Sequence, residues 1–486
     1  MSVSVTGLTL SVCVLFVLLS TISFAVEENP KIFKDHAQLI GMNLSGLNFS
    51  GTHLNHSELQ GSDLRGTDFS RSFLIQSTIS NAKLIGANLS GAFMPAVDLR
   101  GSDLSYADLR GAYLPLSYMI DSNLTGADLS DADLSESSCE RANFLGSRLV
   151  KSKLSPTNLT SSNLSMANLS GSYLAASSLD DSDLTKANLT GANLENAFMH
   201  RVRLVGAKLI NASLSGARMD DSDLSNSYLE RADLTSASLN GANLTGANLN
   251  GARLLGADLS FAVLKSASLD GTNLLGAKLN WANLDDSILT NCLFTRAELF
   301  GANLSNCDLT NSDFARSYLT RANLFRSNLK KTNFESADLT GANLSKTSLG
   351  EASLKGANLD DADLSGADLS GANLASMTVN RIVMHRTLLR SAVLNMMFLE
   401  DSDLSEADLR NTRFQVVFMN NVNLSGADMS GADLNITGLS GVDLSRANLL
   451  GIKYDKITLP FIAASNLEGA KMSADLQKDI EKIRSG

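Results

Sequence analysis

The sequence predicts an all-β solenoid, built of short parallel strands stacked coil upon coil, and three regularities predict it. Every residue from 39 to 449 whose number ends in 4 or 9 is Leu, Ile, Val, Met, Phe or Cys. There are 83 such positions, 66 of them Leu, and the frame never slips by an insertion or deletion. Two residues earlier the chain is almost always Ala, Ser or Thr, with Val and Cys as minor variants and Met42, Leu47, Met377, Ile382 and Met397 as exceptions.

A stride of five suits neither the 3.6-residue helix nor the two-residue strand, so no straight element can keep these residues on one side. The chain must turn at every unit. Four units that each form one side of a square return it above its starting point, with the apolar and the small residue both facing inward. Successive coils then pair as short parallel strands about 4.8 Å apart. The 83 units make about 21 coils and a single elongated rod roughly 100 Å long.

The remaining positions read as surface. Asp, Asn, Lys and Arg recur at numbers ending in 3 or 8, and Ser and Thr at those ending in 0 or 5. Gly, Asp, Asn, Ser and Arg recur at numbers ending in 1 or 6, the corner, where glycine tolerates strained dihedrals.

Units such as Ala127-Asp128-Leu129-Ser130-Asp131, Gly241-Ala242-Asn243-Leu244-Thr245 and Ala367-Asp368-Leu369-Ser370-Gly371 resemble the A(D/N)LXX repeats of the pentapeptide repeat proteins. The resemblance spans about residues 37 to 467. It implies a right-handed quadrilateral parallel β-helix, and it implies no single function, because a repeat scaffold carries function in its surface.

The domain reading follows: 1–25 a signal peptide or membrane anchor, 26–38 an N-terminal cap, 39–462 the β-helix, 463–486 a C-terminal capping segment with a helix. Leu8 to Leu19 is strongly apolar, and Ser23-Phe24-Ala25 has the small-x-small pattern of a cleavage site before Val26-Glu27-Glu28. The stretch from Gly7 to Val26 is also long enough to anchor in a membrane. Ile32, Phe33 and Leu39 are placed to cover the first coil. Ser473 is placed to cap a helix through Lys482 that carries Leu476, Ile480 and Ile483 at helical spacing, as a lid on the last coil or as a dimerisation helix.

The net charge of −11 favours solubility and disfavours direct nucleic-acid binding. Cys139, Cys292 and Cys307 all fall on inward positions. Cys292 and Cys307 are three units apart, close enough for a disulfide to be considered in an oxidising compartment. Motifs for catalysis, phosphate binding or paired-cysteine metal sites are absent from the sequence, and the many Asp residues fall on the repeat's polar position. The expectation is a protein that is not an enzyme and holds no cofactor.

Residues 20 apart should stack, which makes columns testable. Asn283, Asn303, Asn323 and Asn343 form one and suggest an amide ladder. Phe73, Phe93 and Tyr113 form an apolar one beside Pro95, Pro115 and Leu116, and Phe398 and Phe418 form another, flanked by Met396 and Val416. Val383, Leu388 and Val393 fall on outward positions in the same region as the second column. These aromatic columns read either as coil-stabilising stacks or as partner-binding candidates. His36, His53 and His56, with Asp35, are the weak zinc candidates.

The function expected is an exported structural or protein-interaction scaffold, with an unidentified protein partner and an end-to-end dimer as one oligomeric option. Two alternatives are an acidic topoisomerase-binding DNA mimic, a role known among pentapeptide repeat proteins, and a secreted host-directed effector. The export signal and the Lys and Arg mixed among the acids weigh against the mimic. Periplasm, an organelle lumen and the extracellular space all fit.

Overall fold

The computed structural model describes residues 34–485. The signal or anchor reading, most of the N-terminal cap with Ile32 and Phe33, and Cys13 lie outside the described residues. The chain divides into two compact units, Met1–Tyr228 and Leu229–Gly486. Both are runs of the expected coils, a right-handed parallel β-helix.

In the first unit the partners are 20 residues apart, as in Asp108↔Asp128 and Asn143↔Asn163. Three backbone bonds per unit carry the stacking, one of them from the corner residue's N–H, as from Asp131 to Val150 at 2.9 Å. The apolar residue's N–H donates to a carbonyl 19 residues on, as from Leu129 to Arg148 at 2.6 Å, and the outward residue's N–H to one 21 back, as from Asp128 to Ala107 at 3.0 Å. The second unit repeats this, with Leu244 N–H to Val263 at 2.7 Å. The Leu side chains at numbers ending in 4 or 9 are buried through both units, most of them completely.

Small inward residues solve a second problem besides crowding. Their hydroxyls meet carbonyls of the apolar positions: Ser62 donates to Leu39 at 2.7 Å and Ser287 to Leu264 at 2.6 Å, each 23 residues back, and Ser72 to Phe69 at 2.7 Å within its own unit. A buried hydroxyl without such a partner would cost on the order of 1–3 kcal/mol. The exceptions Met42 and Leu47 sit in the first described coil and are only half-buried, whereas Met377, Ile382 and Met397 are fully inside.

Corners at numbers ending in 1 or 6 up to 451 adopt the left-handed conformation, Pro156 excepted, and 53 of the described residues that do so are not glycine. Corner geometry is therefore imposed by the stacked coil, and residue type follows only loosely. At most faces an outward Asn or Asp closes the turn by accepting the N–H two residues on, as Asp128 does for Ser130 at 3.0 Å. The Asn283–Asn343 column is an amide ladder, with Nδ2 to Oδ1 distances of 3.1, 3.0 and 3.1 Å.

Longer strands occur only late in the second unit, among the described residues: β1 (Thr378–Asn380), β2 (Phe398–Glu400), β3 (Val417–Asn420) and β4 (Thr437–Ser440), a parallel sheet in that order. The outward residues here are Thr378, Phe398, Phe418 and Gly438, which lack the turn-closing acceptor, and backbone pairing runs three or four residues in its place.

After β4 the helix α1 (Leu459–Ala464) stands where another unit was expected, with Pro460 in its first turn. Pro suits a helix start and cannot donate to a strand ladder. The next bridges, Asp443↔Asn466 and Asn448↔Lys471, are offset by 23 residues, so the frame shifts by three. The short C-terminal helix is α2 (Ala474–Ser485), and Leu476 N–H meets Ser473 Oγ at 3.2 Å at its start. It buries Leu476 and Ile480 but leaves Ile483 exposed, and Arg484 bonds the carbonyls of Ala463 and Ser465, which ties it to the end of α1 as a lid.

Candidate functional site

On one face of the second unit, the rungs 276–281, 296–301 and so on to 436–441 lie one above another, linked at both corners by bonds such as Trp281 N–H to Phe300 O and Met396 N–H to Gln415 O. Its outward positions depart from the polar repeat most clearly at β1–β4.

There Phe398 and Phe418 stack with centroids 5.3 Å apart and 14° between planes. Because each ring spends a face on its neighbour, ring edges point to solvent, and the two residues are 48% and 44% exposed. With Gly438, Glu400, Asn420 and Phe461 of α1 they line a shallow groove of about 250 Å³. Beside it Met396, Val416 and Ile436 form an exposed apolar corner column.

All three corner residues have positive φ, at 55°, 58° and 57°. Val416 and Ile436 are the β-branched residues among the non-glycine corners described. Left-handed backbone costs an L-residue about 1–2 kcal/mol, and β-branching crowds it further. Two strained, water-facing apolar side chains at one patch are hard to explain by stability, and backbone strain of this kind concentrates at functional sites.

The polar rim is acidic: Glu400 accepts from Asn420 Nδ2 at 3.2 Å and Asp401 from Asn421 Nδ2 at 2.7 Å, and among the described residues no cation lies within ion-pair distance of either. Arg381 is engaged elsewhere, on Asp361 at 2.6 Å, and its guanidinium holds that carboxyl below the usual range. Val383 reaches solvent a corner away, while Leu388 and Val393 are half-buried.

The other sequence candidates do not converge. Phe73, Phe93 and Tyr113 lie in the first unit, with Phe93 stacked on Tyr113 at 4.9 Å and Phe73 tilted 51° to Phe93. His53 caps that column, stacked on Phe73 at 4.5 Å, and His36 stacks on His56 at 5.1 Å in another. Among the described residues no group of three His, Cys, Asp or Glu side chains is placed to hold a metal ion.

Cys292 and Cys307 are free thiols, contrary to the disulfide considered from their spacing. Each is wedged inside its own coil with Sγ 3.0 Å from a carbonyl, of Leu269 and Leu284. Burial pushes both thiols up to about 12.

The repeat pattern decides the family. The pentapeptide repeats model matches residues 35–71, 79–114, 122–276, 277–316, 317–374 and 402–451, most of the chain. The chain belongs to the pentapeptide repeat family. Solved structures similar to this pentapeptide repeat protein include HetL, involved in heterocyst differentiation regulation in the cyanobacterium Nostoc sp. Strain PCC 7120. It is 32% identical over 52% of this chain and 89% of that one, with a TM-score of 0.22. QnrB1, a plasmid-mediated fluoroquinolone resistance protein, is 17% identical over 44% and 96%, with a TM-score of 0.23. A pentapeptide repeat protein of the Arabidopsis thaliana thylakoid lumen is 24% identical over 36% and 88%, with a TM-score of 0.10. No curated protein matches the chain.

Sequence reading missed two features. Ile436 and Gly438 complete the β1–β4 patch, and Trp281, the chain's one tryptophan, stands 51% exposed on the same face. The signal for Trp281 was available, since a large aromatic at a corner number is as anomalous as Val416.

Proposed function

We propose that this pentapeptide repeat protein is a non-enzymatic, exported scaffold that holds a partner protein on the β1–β4 face. The observation that carries the reading is the strained apolar column Met396, Val416 and Ile436 beside the Phe398–Phe418 stack. Contiguous exposed apolar surface marks interaction sites. Glu400 and Asp401 at its rim, neither in an ion pair among the described residues, favour a segment whose apolar side chains are flanked by Lys or Arg. Export rests on the residue pattern of 1–25, and the described residues contain no helix long and apolar enough to cross a membrane.

Against the DNA-mimic alternative, acids along the surface are repeatedly interrupted by paired arginines, as in Asp121–Arg141 and Asp181–Arg201, both at 2.7 Å. A mimic of the phosphate backbone needs runs of free negative charge.

The test places a photo-reactive phenylalanine analogue at position 396 in the protein expressed in its native cells, and examines the exported fraction. A single adduct, lost on Phe398→Ser with Phe418→Ser while thermal unfolding stays unchanged, supports the reading. Adducts indifferent to those substitutions, or none, remove it. N-terminal sequencing of the same material checks export, with Val26 as the expected first residue.

A further inference from the structure

About six rungs along the same face of the second unit from the apolar groove, a second surface carries exposed arginines at its corners, with Glu298 and Asp338 on its midline. Phe261 and Trp281 occupy the same corner in successive coils, Phe300 stands edge-on to Trp281 at 5.2 Å and 82°, and Tyr318 is exposed one rung on. Around them Arg296, Arg316 and Arg321 are exposed, and none is within ion-pair distance of a carboxylate among the described residues. Other corner arginines, such as Arg141, Arg201 and Arg381, pair with the aspartate one coil back. Arg296 and Arg316 line one concavity of about 320 Å³ with Leu275, Thr295 and Ser336. The one acid lining it, Glu335, lies 3.8 Å from Lys355.

Two guanidiniums stacked one coil apart, about 4.8 Å by strand spacing, and a third at the opposite corner of the same rung make a row of unspent forks that matches carboxylates. Trp281 adds an apolar anchor with little entropy to lose, the side-chain type enriched at binding hot spots.

We infer that the Trp281–Arg316 surface binds an acidic polypeptide segment, its carboxylates on Arg296, Arg316 and Arg321 and an apolar side chain against the indole. A polynucleotide shares the negative charge, but it needs successive open ring faces on which to stack bases. Trp281 lies flat over Gly301, where a Cβ would come within 2.6 Å of the ring, and Phe300 presents its edge, so the surface offers an anchor and not a stacking row. The net charge of −11 also repels a long polyanion. The surface is separate from the β1–β4 groove, and a partner with one acidic and one basic apolar segment would span both.

Trp281 is the chain's single tryptophan and reports on the site directly. The experiment titrates the full chain with a peptide of alternating Glu and Phe, with poly-L-glutamate and with oligo(dT), following indole fluorescence at low and moderate salt. The expected result is saturable binding of the Glu/Phe peptide, weaker binding of poly-L-glutamate, and loss of on the order of tenfold in affinity for each of Arg296→Glu, Arg316→Glu and Arg321→Glu. Glu already occupies left-handed corners at Glu136 and Glu351, so these variants fold, which circular dichroism verifies. Tighter binding of oligo(dT) than of the peptide overturns the inference in favour of nucleic acid. An unmoved spectrum with every probe, or peptide binding indifferent to all three substitutions, overturns it outright. Phe398→Ser with Phe418→Ser leaves this titration unchanged, which separates it from the groove.

Discussion

The ring of Phe418 lies over the Cα of Gly438, one coil on, so that a Cβ at 438 would come within 2.8 Å of Cδ1. Most glycines here serve left-handed corners, but Gly438 is in β4 and serves the ring. Gly438→Ala should therefore displace Phe418 and destabilise the β3–β4 region by about 1 kcal/mol. Combined with Phe418→Ala the alanine should become neutral or favourable, and a double-mutant cycle by denaturant unfolding reads the coupling.

Substitutions usually destabilise, and two here should do the reverse. Val416→Gly and Ile436→Gly release β-branched side chains from left-handed backbone and should raise unfolding free energy by about 1 kcal/mol each. The same variants should lose the adduct at position 396. Stability gained as binding is lost is the trade expected of a site held under strain.

Asp408 accepts from Arg410 at 2.8 and 2.7 Å, through both carboxylate oxygens, and from Arg390 Nε at 2.6 Å. These bonds, Arg410's first, hold its carboxyl down at about 2 against partial desolvation. A depressed acid stabilises the fold above its unfolded pKa near 3.8 and loses that contribution as pH falls through about 2. Wild type and Asp408→Asn should differ by about 1–2 kcal/mol at pH 6, allowing for the exposure of the arginines, and converge below pH 2. Urea melts across that range check it.

Cys139, Cys292 and Cys307 are buried, and burial raises all three thiols. Thiolate is the reactive form, so none should react with a thiol-specific chromogenic disulfide at pH 8 in the folded protein. In guanidinium the chain from residue 26 onward should titrate three. A reactive thiol under native conditions would show that a coil opens locally.

Much of the candidate site was legible in the residues. Phe398, Phe418, Met396 and Val416 stood out because a polar position had turned apolar, and columns 20 apart placed them together. Ile436 and Gly438 escaped notice, since glycine looks ordinary in a repeat that uses it at every third corner or so, and its reason lies in a ring from another coil. The charge of the two patches escaped too. Corner arginines recur along the whole chain, and only the ion pairs distinguish Arg381, held by Asp361, from Arg316, which is free to meet a ligand.

The five-residue stride by itself determined the coil, its interior and its register, because only one closed path keeps every fifth side chain inside and every backbone group paired. Tertiary structure decided what the stride leaves open. It placed α1 at Pro460 and shifted the frame by three, kept Cys292 and Cys307 in separate coils, and set β-branched side chains on left-handed backbone at Val416 and Ile436. These outcomes depend on contacts between residues 20 or more apart and on the balance of strain against stacking, which a pattern of residue types does not contain.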